Sequence, residues 1–216
     1  IGLDYAKDVL PLTPSGNATE RHICLAYARK AQAVFEQGEA LAGYWQKKLG
    51  TDAVKLQLPE GAGLMNTIRS KTMKRGGVGY VQPGAGSFPG LQETNEFLLA
   101  AGAIPTQTWL NGLSAGEKAL AELLELGMAS GVAALNIIPD RNYTPGVKDE
   151  KLANLYAAVE LAKKLELPVI AGTEMNSPGQ KFVDAFDTAE LRPLLGVFLQ
   201  GAYIVYAHAM LQRSGG

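Results

Sequence analysis

The fold is decided by the stretch Val132-Ala-Ala-Leu-Asn-Ile-Ile138, a nearly unbroken apolar run typical of a β-strand covered on both faces. A polar loop follows at 139–146, and the spacing of apolar residues over 151–165 predicts an amphipathic helix. A second buried strand is predicted at 167–171, where the chain reads Leu-Pro-Val-Ile-Ala. Because a helix connects the two strands, they are expected to run parallel in one sheet.

The same order of strand, loop and helix is predicted on both sides of this unit. Further strands are predicted at 78–82 and 103–110. Further helices are predicted over 91–101, from the capping box at Ser114 onward, and over 191–211. This alternation predicts an α/β protein with a parallel sheet. A closed barrel usually takes about eight strands and about 250 residues. The sequence therefore predicts a partial or distorted (β/α) barrel, TIM-like, whose first strands precede Ile1, or else an open sheet.

The first part of the chain has a different pattern. Residues 1–14 have room for one or two short strands, whereas 19–49, with a break at Gly38, and 62–74 read as helical. We therefore predict a mainly helical segment over 1–75, which is either an insertion or a first βα unit, and repeated βα units over 76–216.

The composition excludes several classes of protein. Of the 216 residues, 47% are hydrophobic and 19% are charged, which excludes a disordered chain. A net charge of −1 gives no electrostatic case for binding nucleic acid. The apolar stretch 196–210 is shorter than a membrane span requires, and the single cysteine, Cys24, fits a reducing compartment. We therefore predict a cytoplasmic protein without a membrane partner.

Polar side chains follow the predicted strands. Ligand sites of parallel sheets lie beyond the carboxyl ends of the strands, so these residues are the candidates for binding a small anionic substrate. They are Gln82, Asn111, Asp140, Arg141, Asn142, Glu174 and Asn176.

Arg141 and Glu174 are the candidates with the clearest chemistry. The planar guanidinium of Arg141 suits a carboxylate or phosphate, although an ion pair with Asp140 or a neighbouring loop is the alternative. Glu174 suits a metal ligand, a general base or an ion-pair partner of Arg141. We predict catalytic roles for Glu174, Asp140 and Arg141, and substrate contacts for Arg141 and the amide side chains Asn142, Asn111, Asn176 and Gln82.

Two polar groups lie in the first part of the chain. Glu20 and His22 form a joint site only if their segment is extended, since residues two apart on a helix point in different directions. His22 on the surface of a helix is the alternative. The basic residues near 69–75 either attract an anionic substrate or mark a solvated helix end.

The stretch Pro168-Val-Ile-Ala-Gly-Thr-Glu-Met-Asn-Ser-Pro178 resembles the late strand and loop of the polymerase and histidinol phosphatase (PHP) family. The typical string of that family is Pro-[apolar]-x-Gly-Ser-Asp-x-His-Ser-Pro. The resemblance implies a distorted (β/α)7 barrel and metal-dependent hydrolysis of phosphoesters or related substrates.

The resemblance also implies metal ligands. Glu174 stands where the family has a metal-binding Asp, and Asn176 stands where it has a metal-binding His. Glu20 and His22 are matched to the family's middle Glu and His ligands, and its opening His-x-His strand would lie before Ile1. The implied cofactor is a divalent cation, Zn, Mn or Fe.

Three hypotheses follow for the function. The first is a PHP-like metal-dependent hydrolase. The second is a metal-free β/α-barrel enzyme in which Arg141 binds an anionic small molecule and Glu174 acts as the base. The third is a non-catalytic, degenerate barrel with a binding or assembly role, completed by a homo-oligomer or by an N-terminal part that precedes Ile1.

Overall fold

The computed structural model describes residues 1–36, 38–50, 61–143, 147–175 and 181–215. These residues form two compact units, Ile1–Ala85 and Gly86–Gly216. The sequence-based division falls ten residues earlier, at the end of the basic segment.

The regular elements in the described part of the first unit are all helical. Its helices are α1 (Glu20–Phe35), α2 (Glu39–Leu49) and α3 (Ala62–Ile68), with a π-helical turn at Arg69–Met73 that extends α3. The predicted helices and the break at Gly38 are confirmed. The predicted short strands in 1–14 are wrong, since this segment forms a π-helical turn at Tyr5–Val9 and a 3₁₀ turn at Leu10–Leu12. The Asp4 side chain caps the first turn by accepting from the Lys7 N–H at 2.9 Å.

Small residues on α1 allow the helices of this unit to approach closely. Cys24, Ala28 and Ala31 are fully buried against the large side chains Leu41, Trp45, Leu49, Leu64 and Ile68. Burial raises the pKa of the Cys24 thiol, which makes the thiol a packing group instead of a nucleophile.

The second unit alternates strands and helices. Its elements are α4 (Leu91–Ala100), β1 (Thr106–Trp109), α5 (Ala115–Lys118), α6 (Leu120–Ala129), β2 (Ala134–Ile137), α7 (Lys148–Lys164), β3 (Val169–Ala171) and α8 (Leu195–Arg213), with 3₁₀ turns at Pro139–Asn142 and Arg192–Leu194. The strands are parallel and lie in the order β1-β2-β3, with Leu135 opposite Gln107 on one side and Val169 on the other. The three strands predicted at these places are confirmed, although each is shorter than predicted.

The predicted barrel is wrong. Across the described residues the sheet has three strands and does not close, which is too small for a (β/α) barrel, while a mixed α/β architecture is correct. The strand predicted at 78–82 does not form, and its apolar side chains Val78 and Val81 are 97% and 83% exposed. The Gly79 N–H, inside this segment, donates to the Thr72 carbonyl at 2.8 Å, so the segment folds back on the end of the π-helical turn.

Helix α8 covers the outer edge of β3. The bonds to β2 use the Pro168 carbonyl and the Gly172 N–H, so the Val169 carbonyl points away from β2, toward the open edge. Gly201 of α8 lies against this carbonyl, and a Cβ on Gly201 would stand 1.9 Å from the carbonyl oxygen. The helix therefore occupies the place that a fourth strand beside β3 would need, and such a cover protects a sheet edge from unwanted pairing.

The same helix is the most apolar segment of the second unit. Within the described residues, Arg192–Arg213 is the one helical segment long and apolar enough to cross a membrane, with a mean hydropathy of 1.6 over its most apolar window, of which 17% is buried. It is longer than the stretch 196–210 judged from the sequence. A single such helix is weak evidence for a membrane protein. Phe198 and Gly201 are the buried residues of α8, which packs on β3.

Candidate functional site

The ends of β2 and β3 bring Arg141 and Glu174 together. Arg141 lies in the 3₁₀ turn after β2, and Glu174 follows β3 by three residues. The Nε and Nη2 of Arg141 both contact Oε2 of Glu174. Neighbouring parallel strands end at the same edge of a sheet, which brings the two side chains together. Of the roles left open for Glu174, the ion pair with Arg141 is the one that the structure shows, and the catalytic roles of Glu174, Asp140 and Arg141 stay predictions. The two side chains are 38% and 23% exposed, so the pair is partly open to solvent.

Arg141 keeps donors that the ion pair does not use. Its Nη1 forms no hydrogen bond with any of the residues that the structure describes. Lys151 stabilises the turn that carries Arg141, because its ammonium donates to the Arg141 carbonyl at 3.1 Å. Lys151 is only 6% exposed. Arg141 therefore presents a positively charged, donor-rich edge on a fixed backbone.

Asp184 is a buried carboxyl group that the sequence analysis missed. It is 6% exposed, whereas its neighbours Phe182 and Val183 are 75% and 60% exposed, which inverts the usual placement of polar and apolar residues. The Oδ2 of Asp184 finds no hydrogen-bond partner among the described residues. Burial, and next the negative charge of Asp140, raise the pKa of Asp184, although the Asp140 backbone N–H and Lys181 oppose this rise.

Asp140 therefore links the two parts of the site. It precedes Arg141 in the same 3₁₀ turn, and its backbone faces Asp184. Asp140 thus connects an arginine that is paired through one edge with a buried carboxyl group whose pKa is raised.

Two of the three predicted asparagines, Asn142 and Asn111, form hydrogen bonds within the chain. The side-chain amide of Asn142 is fully buried and donates to the carbonyls of Leu110 and Ile138, each at 3.3 Å, which ties the ends of β1 and β2 together. Asn111 accepts from the Leu113 N–H at 3.2 Å in a local turn. Their substrate contacts stay predictions.

Glu117 organises the loop after β1, as its place in the capping box suggests. Its carboxylate accepts from the backbone N–H of Leu110 at 2.5 Å and of Asn111 at 3.2 Å, and from the Ser114 hydroxyl at 2.8 Å. Burial alone would raise the pKa of Glu117. The hydrogen bonds, of which that from the Leu110 N–H has the largest effect, outweigh burial and hold the pKa of Glu117 below its usual value.

We expect Glu117→Gln to lower the free energy of unfolding by about 1–3 kcal/mol at neutral pH, because hydrogen bonds to a charged acceptor are replaced by weaker ones. The pKa of Glu117 is lower in the folded chain, so its contribution is present above the usual pKa of 4.5 and is lost as the pH falls. Urea unfolding at several pH values measures the effect. Glu122→Gln, at an exposed position of α6, is the matched control, and an equal effect of the two substitutions contradicts the role of Glu117.

The remaining substrate candidates lie elsewhere. Gln82 belongs to the first unit, is exposed and accepts from the Tyr80 hydroxyl at 3.1 Å, and the strand that was to place it at a sheet edge does not form. Asn176 lies outside the described residues.

The predicted metal ligands already have other partners. Glu20 binds Arg69 and Lys74, and Arg69 is the main reason that the pKa of Glu20 lies below its usual value. The Nδ1 of His22 accepts from the Thr19 N–H at 3.0 Å and so caps α1. Both residues belong to the first unit, and Glu174 belongs to the second. Within the described ranges no group of three or more His, Cys, Asp or Glu side chains suits a metal ion, and the metal site stays a prediction.

Comparison with known proteins adds no relative. No protein-family model, curated protein or solved structure matches the chain. The resemblance to the PHP family therefore rests on the string at 168–178, of which the structure describes 168–175.

Proposed function

We propose that the second unit carries an acid–base site for a small molecule with a carboxylate or phosphate group, in which Arg141 binds the anionic group and Asp184 exchanges a proton with the substrate. The observation that supports it is that the buried Asp184 faces Asp140, the residue that precedes Arg141 in the turn after β2. The carboxyl ends of parallel strands are where α/β proteins bind their ligands.

Arg141 is suited to hold the anionic group. Glu174 fixes the guanidinium through Nε and Nη2, which leaves Nη1 and the second N–H of Nη2 to bind an anion. The buried ammonium of Lys151, bound to the Arg141 carbonyl, adds positive charge to this end of the sheet. Charge-assisted hydrogen bonds of this kind contribute about 1.5–3 kcal/mol each.

Asp184 is suited to donate a proton. Its burial favours the neutral carboxyl group, and the carboxylate that remains after donation is stabilised by the Asp140 N–H and by Lys181. The proton leaves the Asp184 carboxyl for the substrate, and solvent water returns a proton in the next turnover. General acids in such positions typically accelerate reactions by about 10²–10⁴-fold.

Titration calorimetry with inorganic phosphate tests the binding half of this proposal. Arg141→Ala is expected to weaken phosphate binding about tenfold or more. Glu174→Gln is expected to strengthen it, because the carboxylate that competes for Arg141 loses its charge. Arg213→Ala, at the exposed end of α8, is the control and is expected to leave the affinity unchanged.

An ion pair with a purely structural role predicts a different pattern. Both Arg141→Ala and Glu174→Gln would then lower the free energy of unfolding, and neither would change the affinity for phosphate relative to Arg213→Ala. That result would remove Arg141 from the proposed site.

A further inference from the structure

The first unit contains a cavity of about 680 Å³ among its helices. It lies next to the buried core and is lined by side chains of α1, α2 and the extended α3, together with the turn at 78–79. Cavities of roughly 300–1,000 Å³ that are mainly apolar are typical of small-molecule sites. The proposed acid–base site uses no residue of this unit.

Aromatic side chains form one wall of the cavity. Tyr27, Tyr44 and Trp45 line it, and the rings of Tyr44 and Trp45 meet edge to face with centroids 5.0 Å apart. Phe35 stacks on Tyr44 with a centroid distance of 4.5 Å and supports the wall. A rigid aromatic wall of this kind favours a flat, unsaturated ligand.

Hydrogen-bond donors on this wall have no acceptors. Trp45 is 3% exposed, and its Nε1 has no hydrogen-bond partner among the described residues. The hydroxyls of Tyr27 and Tyr44 also form no hydrogen bond with a residue of the described part of the chain. Buried donors are normally satisfied, so the unpartnered Nε1 of Trp45 indicates a ligand that brings an acceptor, and the half-buried tyrosine hydroxyls add two donors beside it.

The charges around the cavity favour a negatively charged ligand. Glu20 is already neutralised by Arg69 and by Lys74, whose ammonium lies 3.0 Å from the carboxylate. Lys48, which also lines the cavity, pairs with no carboxylate among the described residues. The charge of Lys48 is thus left without a partner among the described residues, and a carboxylate in the cavity would balance it.

We propose that this cavity is a binding site for an aromatic carboxylic acid, whose ring lies against Tyr44 and Trp45 and whose carboxylate is held near Lys48. The Trp45 Nε1 donates to an acceptor of the same ligand. This is a second binding site of the chain and does not depend on the function proposed for the other unit.

Titration calorimetry of the whole chain with 2-naphthoate tests this inference. We expect saturable binding of one naphthoate, and about tenfold weaker binding of the uncharged 2-naphthylmethanol. Lys48→Met keeps the apolar stem but removes the charge, and is expected to weaken naphthoate binding by a similar factor. Lys48 is exposed, so this variant is expected to fold.

Two control variants locate the bound probe. Lys47→Met, at the adjacent exposed position of α2 that does not line the cavity, is expected to leave naphthoate affinity unchanged. Arg141→Ala is also expected to leave it unchanged, which separates the cavity from the anion site of the second unit. The inference is overturned by an absence of saturable binding, by equal affinities for naphthoate and naphthylmethanol, or by a loss of affinity in Arg141→Ala but not in Lys48→Met.

Discussion

Gly201→Ala is expected to lower the free energy of unfolding of the second unit by about 3 kcal/mol, because overpacking against a fixed backbone forces the surrounding elements apart. The added Cβ would stand 1.9 Å from the carbonyl oxygen of Val169 and 2.8 Å from its carbonyl carbon. Those atoms belong to a paired strand and cannot rotate away as a side chain can. Helix α8 must therefore leave the edge of β3.

Urea unfolding followed by tryptophan fluorescence measures this effect. The chain has two tryptophans, and a Trp45→Phe background leaves Trp109, which is buried in the core of the second unit, as the reporter. Gly196→Ala is the matched control in the same helix, since nothing lies within 4 Å of its added Cβ. We expect this control to change stability by less than about 1 kcal/mol, in the stabilising direction. Equal effects of the two substitutions would show that α8 does not press on β3.

The packing of α8 on the edge of β3 also explains why the sheet is open where the sequence predicted a barrel. Local apolar runs indicate strands, and the runs at 103–110, 132–138 and 167–171 all form them. Whether a sheet continues depends on what lies beside its outer strand, which no local pattern records. In the sequence Gly201 is a weak position in a helix, and only its contact with Val169 shows that this helix covers the edge.

The candidate site was predictable where it depends on parallel strands. Arg141 and Glu174 follow neighbouring strands, and the geometry of a parallel sheet is enough to bring them together. Asp184 follows no strand, and it lies after two apolar residues that a sequence pattern would bury in its place. Its burial is decided by the long-range packing of the 181–190 segment near Asp140, so no sequence signal could have identified it.

Asp184→Asn is expected to raise the free energy of unfolding at neutral pH by about 1–3 kcal/mol, because burying a group that can ionise costs more than burying a neutral amide. The wild-type carboxyl group is buried beside Asp140, and its Oδ2 has no hydrogen-bond partner among the described residues. An amide at this position carries no charge that burial can penalise. Most substitutions at buried positions lower the free energy of unfolding, so an increase would be unusual. Residues that destabilise the native fold are typical of functional sites.

The pH dependence of this gain tests whether the fold raises the pKa of Asp184, which the proton-donor role requires. Below the usual pKa of 3.8, the carboxyl group at 184 is protonated in both the folded and the unfolded chain, so the wild type carries no penalty relative to the variant. As the pH rises, the unfolded chain loses this proton first, because the folded pKa is raised, and the wild type becomes less stable than the variant. The difference grows until the pH passes the folded pKa and is constant above it.

Urea unfolding of both proteins between about pH 3.5 and pH 8 gives this curve, a window that starts near the usual pKa of an aspartate. Asp187→Asn, at an exposed position three residues further along, serves as the control and is expected to give no such rise. A wild type that is more stable than Asp184→Asn at neutral pH would mean that the fold stabilises the ionised carboxylate. Asp184 would then release its proton too readily to act as the acid, and the proposed site would retain only its anion-binding half.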